Sequence, residues 1–502
     1  MTIRDSPGPA TGRLAKVVLV VALALLPITF ARLGRAAARQ DVDPPSEVWT
    51  ALAFDWNGGE PYRPLWSEHG YGGSRYFPGH VAAQAAAMRL LPPVASGFAV
   101  TALALVLLLA GGYALLRQLG LPRLASAGGA SLVLLSTAIQ EAAVATRGDL
   151  LSAGLAVCGL VAAGAASRQP PPSSARLFAA ALLLALSWFT KFTAVAAPAA
   201  AVLTLWGSGR RRAAAVLAGA TAALAALLVA WTELKTDGRF LHVLAASASG
   251  RNRWTDALKL PYHLLSNART MMALTVPPSL LAIGCAFEPE ARRRFRPLLA
   301  YAAAALVVAL GVHMGYGIEH NHLIELEVAS ALLLASLLAT GVVRQQLGAV
   351  VLAACVLLVG TLLVAPDLGL LRQRVTPIRR ARYEELLPLV REAGGPILSA
   401  YPLVPILAGQ RPFLLDQWMF GVSALRRPEM IADLQSRLGR RYFGSVVLTA
   451  SPSTAEGRRE IDRWLGAGTG EAVNASYAPV WSGQELYVLV RRGRGPATTP
   501  RG

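Results

Sequence analysis

The chain has few charged side chains for its length. Asp, Glu, Lys and Arg make up 15% of its 502 residues, whereas soluble globular domains contain about 25%. Hydrophobic residues make up 54%, and most of them fall in uninterrupted runs of about 17 to 23 residues, the length with which a helix crosses hydrocarbon. Because these runs lack the alternating or amphipathic pattern of soluble folds, the sequence predicts an α-helical polytopic membrane protein.

Cysteine and acidic residues are also scarce. Cys158, Cys285 and Cys355 each lie in an apolar run, which excludes a disulfide outside the membrane, and no Cys/His spacing indicates structural zinc. With 48 basic and 29 acidic residues the formal net charge is +19. Since no nucleic-acid-binding motif is present, we attribute this charge to contact with membrane lipids or lipid phosphate and predict no nucleic-acid partner.

The apolar runs predict about eleven transmembrane helices. They lie near Lys16–Leu33, Ala95–Leu116, Leu124–Ala142, Leu150–Ala166, Leu177–Phe189, Thr193–Trp206, Ala213–Trp231, Met272–Phe287, Leu298–His313, Leu323–Val343 and Leu347–Ala365. The arginine clusters Arg210–Arg212 and Arg292–Arg296 fall on one side, which the positive-inside rule assigns to the cytoplasm. We therefore predict a cytoplasmic N-terminus, and the Ala- and Arg-rich composition indicates a bacterial inner membrane.

One loop between two apolar runs is unusually polar. We call residues 34–94 the first loop, and the topology above places it outside the cytoplasm. Its stretch from Asp41 to His80 contains six carboxylates, two histidines and three tryptophans. Polar groups between two membrane anchors, with aromatic residues at interface depth, are typical of a reaction site at a membrane surface. An ordered but inert loop is the alternative.

The chain from Leu368 onward has a different pattern, and we call residues 368–502 the tail. Helical patterns at Tyr383–Ala393, Pro428–Arg440 and Glu456–Leu465 alternate with the strand-like segments GPILSA, SVVLTA and ELYVLVRR. About 130 residues of this kind predict a small α/β domain. We therefore divide the chain into a membrane domain, 1–367, and an extracytoplasmic α/β domain, 368–502.

Three stretches carry short motifs. They are Glu47-Val48-Trp49 with Gly58–Arg63, Trp66, His69-Gly70 and Tyr76–Pro78; RGDLLSAGLAVCGL at Arg147–Leu160; and SWFTKFTAVAAP at Ser187–Pro198. In this order they resemble the GT-C fold glycosyltransferases of the protein-mannosyltransferase and aminoarabinose-transferase type, especially their bacterial relatives. The resemblance implies transfer of a sugar, with inversion, from a polyprenyl-phosphate-linked donor to a glycan, lipid or protein acceptor.

The resemblance also implies a catalytic carboxylate at the start of the first loop. The family usually has an Asp-Glu-type pair there, but Ser46 stands in the Asp position of this chain. Glu47 is therefore the expected base, and Asp43 and Asp55 are the competing candidates. Partial desolvation at the mouth of a helix would raise the pKa of such a carboxylate and make it a better proton acceptor.

Further polar residues of the outside segments are candidates for binding substrate. They are Arg63, Glu68, His69, Tyr76, Arg147, Asp149, Lys191, His320, Asn321 and His322. Arg147 and Lys191 lie at turns where a lipid-linked phosphate would sit, and their cationic groups suit a phosphate. The alternative for both is a side chain that only snorkels from a helix end.

No motif requires a cofactor. His320 and His322 make a bound divalent cation one alternative, but their spacing matches no standard metal motif. We therefore assign no metal ligand and expect these residues to line a polar cavity. A multi-pass transporter or flippase of lipid-linked saccharides is the alternative function. It predicts inverted repeats or paired broken helices, which the sequence does not display.

Overall fold

A computed structural model describes residues 9–40, 42–167, 173–247, 255, 258, 289–314, 320–340, 378–483 and 486–493. Its membrane-domain helices are α1 (Pro9–Arg39), α2 (Pro44–Asn57), α3 (Pro78–Met88), α4 (Pro93–Gln118), α5 (Arg123–Ser131), α6 (Thr137–Ala142), α7 (Gly148–Ala166), α8 (Ser174–Thr190), α9 (Ala196–Gly207), α10 (Arg211–Lys235), α11 (Arg239–Ser247), α12 (Pro289–Val312) and α13 (Ile324–Thr340). Short 3₁₀ turns occupy Leu132–Leu135 and His320–Leu323.

Several of these helices can cross a membrane. Within the described residues, four segments are long and apolar enough, namely Pro93–Gln118, Gly148–Ser167, Arg211–Lys235 and Arg292–Val312. Shorter apolar helices lie at Arg123–Leu135, Ser174–Thr190 and Ala196–Gly207. This is the architecture of a multi-pass membrane protein. The predicted spans near Met272–Phe287 and Leu347–Ala365 lie outside the described residues, so the number eleven stays a prediction.

The observed helices follow most predicted spans to within a few residues, with one exception. The expectation of a single helix over Leu124–Ala142 is wrong, because α5 passes into a 3₁₀ turn and then ends. Ser136 has extended backbone angles, φ −70° and ψ 127°, and its hydroxyl accepts a hydrogen bond from the backbone N–H of Ile139 at 3.1 Å. A serine in this role begins a new helix, and α6 starts there.

Small residues let α7 pack closely against its neighbours. A Cβ added to Gly154 would stand 3.0 Å from the carbonyl oxygen of Ala104 in α4. One added to Gly159 would stand 2.7 Å from the side chain of Leu184 in α8. Close approach at small residues is the usual way in which membrane helices associate. α7 is therefore fixed between α4 and α8, and its first turn has a defined position.

The tail forms a four-stranded sheet in the order β1-β2-β4-β3. β1 (Ile397–Ser399) is parallel to β2 (Ser445–Leu448), while β4 (Tyr487–Arg491) is antiparallel to β2 and to β3 (Tyr477–Ser482). Its helices are α14 (Ile378–Ala393), α15 (Leu403–Leu407), α16 (Gln417–Ala424), α17 (Pro428–Gly439), α18 (Ala455–Leu465) and α19 (Thr469–Ser476). The predicted mixture of helices and strands is confirmed.

β3 is the strand that the sequence pattern does not predict. Its segment YAPVWS contains Pro479, and the pairing with β4 shifts register between Pro479 and Trp481. Proline cannot donate to a strand ladder and is tolerated at edges and bulges. β3 lies at the edge of the sheet, which accommodates it.

The first loop is joined to the tail through backbone hydrogen bonds. The N–H of Tyr71 donates to the carbonyl of Phe413 at 2.7 Å, and the N–H of Leu415 donates to the carbonyl of Tyr71 at 3.0 Å. Gly70 precedes this bridge with φ +130°, and a Cβ there would stand 2.2 Å from the Phe413 oxygen. Only glycine fits this approach.

Side chains of the first loop and the tail also share a hydrophobic core. Trp49 and Leu52 of α2 belong to the same buried cluster as Leu386 of α14 and Val447 of β2. The tail therefore packs on the first loop and helps to fix α2. The domain boundary near residue 367 stays a prediction, because residues 341–377 lie outside the described part of the chain.

Candidate active site

Charged and polar side chains meet where α2, α7 and α8 begin or end. We call this group the polar cluster, and its members are Asp43, Arg75, Arg147, Asp149, Lys191, Asn321 and His322. Ion pairs and hydrogen bonds join most of them directly. Arg147 and His322 lie within electrostatic reach of the Asp149 carboxylate, and Arg75 lies within reach of His322.

Asp43 connects the first turn of α2 with the start of α7. Its Oδ1 accepts a hydrogen bond from the N–H of Ser46 at 2.9 Å, which caps α2, and its Oδ2 pairs with Nη2 of Arg147. The Ser46 hydroxyl in turn accepts from the N–H of Thr146 at 2.9 Å. The Asp43 side chain is 34% exposed, so a bound molecule can reach its carboxylate.

A second ion pair joins α7 to α8. Lys191 Nζ lies 2.5 Å from Oδ1 of Asp149 and donates to the carbonyl of Asn321 at 2.8 Å. The Asn321 amide donates to the same Asp149 oxygen at 3.1 Å. Asp149 is in the first turn of α7, and Lys191 follows the last residue of α8. A carboxylate at the N-terminus of α7 and a cation at the C-terminus of α8 each interact favourably with the dipole of that helix. The helix ends therefore help to hold both members of the pair in place.

Arg75 reaches the polar cluster from the first loop, and its side chain lies over aromatic rings. Its guanidinium lies 4.1 Å from the centre of the Trp418 ring and 5.9 Å from that of Tyr76. Asp416, the N-cap of α16, is within electrostatic reach, but its Oδ1 accepts from the N–H groups of Trp418 and Met419. Among the described residues, no carboxylate forms a salt bridge with Arg75. It is the cation of the cluster best placed to receive an anion.

Aromatic rings form a neutral wall beside the charges. Trp49 stacks on Tyr76 with ring centres 4.4 Å apart, and His80 meets Trp49 edge-on at 5.1 Å. Burial lowers the pKa of His80 to about 4, so its imidazole is uncharged at neutral pH. A Cβ added to Gly148 would stand 3.1 Å from the Trp49 ring and 3.3 Å from Cβ of His80, so the start of α7 closes against this wall.

Glu47 points away from the polar cluster and into the tail. Its side chain is inaccessible to solvent. Oε1 accepts a hydrogen bond from the Tyr383 hydroxyl at 3.0 Å, and Oε2 accepts from the N–H of Leu403 at 3.4 Å. A carboxylate satisfied in this way anchors α2 to α14 and α15.

Asp55 lies in a different ionic group, which we call the ionic joint (Asp55, Glu60, Arg63 and Arg411). Arg63 Nε is 3.2 Å from Oδ2 of Asp55, and Arg411 Nε is 2.7 Å from Oδ1. Arg411 Nη1 also pairs with Glu60. Burial raises the pKa of Asp55, and the charges of Arg63 and Arg411 oppose that rise. The ionic joint connects the first loop to the tail.

Glu68 and His69 stand on the surface of the first loop. Their side chains are 83% and 69% exposed and lie 3.3 Å from each other. The Glu68 carbonyl accepts a hydrogen bond from Arg437 of α17 at 3.1 Å. Neither side chain is joined to the polar cluster by a described contact.

The arrangement has counterparts among solved structures. No protein-family model matches the chain, and no curated protein sequence is significantly similar to it. The crystal structure of ArnT from Cupriavidus metallidurans bound to undecaprenyl phosphate superposes with a TM-score of 0.59 and 14% identity, over 94% of this chain and 98% of that chain. The crystal structure of the same protein in the apo state superposes with a TM-score of 0.56 and 16% identity, over 96% of this chain and 98% of that chain.

A second kind of protein shares the architecture. The archaeal oligosaccharyltransferase AglB from Archaeoglobus fulgidus, in complex with an inhibitory peptide and a dolichol-phosphate, superposes with a TM-score of 0.52 and 12% identity, over 93% of this chain and 75% of that chain. This chain has the GT-C fold. At these identities the likeness establishes the GT-C architecture and no more.

The GT-C fold of this chain brings together about half of the candidate residues. Asp43, Tyr76, Arg147, Asp149, Lys191, Asn321 and His322 lie in or beside the polar cluster, whereas Glu47, Asp55, Arg63, Glu68 and His69 do not. His320 begins a 3₁₀ turn next to Asn321. Whether each residue acts in catalysis or binding stays a prediction.

Sequence reasoning missed residues that the GT-C fold places at the site. Arg75 is adjacent to the candidate Tyr76 and lies two residues after the Gly72-Gly73 pair, a signal that a search for cations in the first loop could have found. Trp418 and Asp416 have no such signal, because more than 300 residues separate them from the first loop. The described residues contain no group of three or more His, Cys, Asp or Glu side chains arranged for a metal ion, and a divalent cation stays a prediction.

Proposed function

We propose that this protein is a membrane glycosyltransferase that takes a sugar from a polyprenyl-phosphate-linked donor. The observation that carries the proposal is the polar cluster, in which an accessible carboxylate stands beside cations at the ends of apolar helices. The chemistry needs these two kinds of group, a base for the acceptor and cations for the departing phosphate. The GT-C neighbours, whose structures hold undecaprenyl phosphate or a dolichol-phosphate, support the same donor class.

Asp43 is the proposed base, in place of Glu47. Of the three carboxylates, only Asp43 is partly exposed. Glu47 is buried with a hydrogen bond on each oxygen, and Asp55 is buried in ion pairs with Arg63 and Arg411. Oδ1 of Asp43 accepts one hydrogen bond, from the N–H of Ser46 that caps α2, and Oδ2 makes one ion pair, with Arg147. A carboxylate can accept about four hydrogen bonds, so an acceptor hydroxyl still has a place.

The proposed reaction is a single displacement. The acceptor oxygen attacks the anomeric carbon while its proton passes to Asp43. The bond between that carbon and the phosphate oxygen breaks, and the polyprenyl phosphate leaves with the electron pair. Displacement from the opposite face inverts the anomeric centre. The acceptor that supplies this oxygen is a glycan, a lipid or a protein of the envelope.

Arg75 is the proposed principal phosphate ligand. Arg147 pairs with Asp43 and Lys191 pairs with Asp149. Because a carboxylate partly neutralises each of these cations, their attraction for a phosphate is weaker. Arg75 has no such pair among the described residues, and its ring contact with Trp418 orients the guanidinium. Arginine binds phosphate with two parallel hydrogen bonds.

The function itself is tested in cells with and without the gene. Mass spectrometry of envelope glycolipids and glycans should reveal loss of one sugar-bearing product in the deletion strain, together with accumulation of its polyprenyl-phosphate-sugar donor. Wild-type chain supplied on a plasmid should restore the product. An unchanged set of envelope glycans and lipid-linked sugars would refute the proposed activity.

Arg75→Gln is expected to lower kcat/KM for the donor about 10- to 100-fold, since a hydrogen bond to a charged group is worth about 1.5–3 kcal/mol. The kcat/KM of Arg75→Lys should fall between those of the wild type and of Arg75→Gln, because lysine retains the positive charge but lacks the planar guanidinium. The matched control is Arg89→Gln, which removes an exposed arginine from the same loop outside the polar cluster. Equal donor kinetics for the Arg75 and Arg89 variants would remove Arg75 from the phosphate site.

We also propose that the polar cluster faces the outside of a bacterial inner membrane, with the N-terminus in the cytoplasm. The positions of Arg210–Arg212 and Arg292–Arg296 at the opposite helix ends support this orientation. Alkaline phosphatase fused after Gly502 should be active, and the same enzyme fused after Arg211 should be inactive. The reverse pattern would place the polar cluster in the cytoplasm.

A further inference from the structure

A cavity lies at the far end of the membrane helices from the polar cluster. It has a volume of about 250 Å³ and is bounded by the last turns of α4, α7 and α9 and the first turns of α12. α7 begins at the polar cluster with Gly148, and its cavity-lining residues run from Leu160 to Ser167, which is about 18 to 28 Å along the helix at a rise of 1.5 Å per residue. The cavity is therefore a separate site.

Its walls combine positive charge with apolar surface. Arg293, Arg294 and Arg296 line one side, and no carboxylate is among the lining residues that the structure describes. The other walls include Leu115, Leu160 and Leu205. Such a surface complements a molecule with one anionic end and one apolar end.

Two of the arginines have side-chain partners, and the third has none among the residues that the structure describes. Arg294 Nε donates to the carbonyl of Leu119 at 2.9 Å, and Arg296 Nη1 donates to that of Gly207. These bonds satisfy carbonyls at the ends of α4 and α9. In the described part of the chain, the Arg293 side chain makes no ion pair or hydrogen bond, and the residue is exposed at the cavity rim. The hydroxyl of Thr204, another lining residue, is buried without a hydrogen-bond partner.

The level of the cavity matches the headgroup region of a bilayer. Trp206 follows the lining residue Leu205, is 54% exposed, and has the Arg211 guanidinium 5.4 Å from its ring centre. Exposed tryptophan and arginine at a helix end are typical of the membrane–water interface. The volume is below the roughly 300–1,000 Å³ of sites that enclose a drug-sized ligand, so it suits a headgroup whose acyl chains stay in the bilayer.

We propose that this cavity binds the phosphate headgroup of an anionic phospholipid from the leaflet on the arginine-rich side. Arg293 and the remaining N–H groups of Arg296 contact the phosphate, the Thr204 hydroxyl donates to a headgroup oxygen, and the leucine walls contact the glycerol and the first acyl carbons. The lipid thereby bridges α9 and α12.

Native mass spectrometry of the full-length chain in detergent tests this directly. Phosphatidylglycerol should bind saturably, whereas phosphatidylcholine with the same acyl chains should bind at least tenfold more weakly. Arg293→Gln should weaken binding of phosphatidylglycerol about fivefold, since a basic residue near an anionic lipid surface is worth about 1 kcal/mol. Arg292→Gln is the matched control, because it removes the adjacent exposed arginine, which does not line the cavity.

Three results would overturn the proposal. Equal binding of the two lipids would indicate an apolar groove without headgroup recognition. Equal weakening by the Arg292 and Arg293 variants would indicate diffuse attraction by the arginine cluster. Full displacement of the lipid by inorganic phosphate at the same concentration would indicate a site for a soluble phosphate. None of these readouts depends on glycosyl transfer, so they are separate from the proposed activity.

Discussion

Asp43→Asn is expected to lower the rate of sugar transfer by about 10²- to 10⁴-fold, the usual contribution of a positioned base. Asparagine caps a helix as well as aspartate does, so α2 should keep its first turn while the basic oxygen is lost. The measurement is the initial transfer rate per folded molecule, in detergent, with saturating donor.

Two comparisons separate a base from a residue that only orients Arg147. Arg147→Gln removes the partner of Asp43 but leaves the carboxylate, and it should cost less than Asp43→Asn. Glu47→Gln should reduce the yield of folded protein, because it replaces a charged acceptor of the Tyr383 hydroxyl, yet the folded fraction should retain most of its rate. An inactive, well-folded Glu47→Gln together with an active Asp43→Asn would return the base to Glu47.

Asp55→Asn is expected to lower the free energy of unfolding by about 3–5 kcal/mol, the usual effect of removing one partner from a buried ion pair. Arg63 is 1% exposed, and Asp55 is its ion-pair partner among the described residues. The variant would leave this guanidinium buried without a counter-charge. Chemical unfolding followed by tryptophan fluorescence, and proteolysis of the tail, measure the loss.

Substitutions within the ionic joint provide the controls. Asp55→Asn combined with Arg63→Met should recover much of the stability, since it removes the buried charge as well as its partner. Arg411→Gln should cost less than Asp55→Asn, because Asp55 keeps Arg63 and the Arg411 side chain is 29% exposed. If Asp55→Asn unfolds like the wild-type chain, the joint does not hold the first loop to the tail.

Elements whose signal is local can be predicted from the amino-acid sequence alone. α4, α7 and α10 were predicted within a few residues because about twenty apolar residues must cross hydrocarbon whatever surrounds them. The tail strands β1, β2 and β4 were predicted from short β-rich runs between turns. Residues beside helix ends, such as Arg147, Asp149 and Lys191, could be proposed for the same site because turns on one membrane face lie near one another.

Residues with equal local signals are distinguished by the tertiary contacts that each of them makes. Glu47 and Asp43 are only four positions apart, but Asp43 is the N-cap of α2 with extended backbone angles, whereas Glu47 lies within the helix, so their side chains leave the chain in different directions. Glu47 is buried because Tyr383 and Leu403, more than 330 residues later, close over it. Arg63 is buried with Asp55, whereas Arg75, twelve residues on, lies over Trp418 beside the polar cluster. These outcomes depend on how the tail packs against the first loop, and contacts between distant segments leave no pattern in either segment alone.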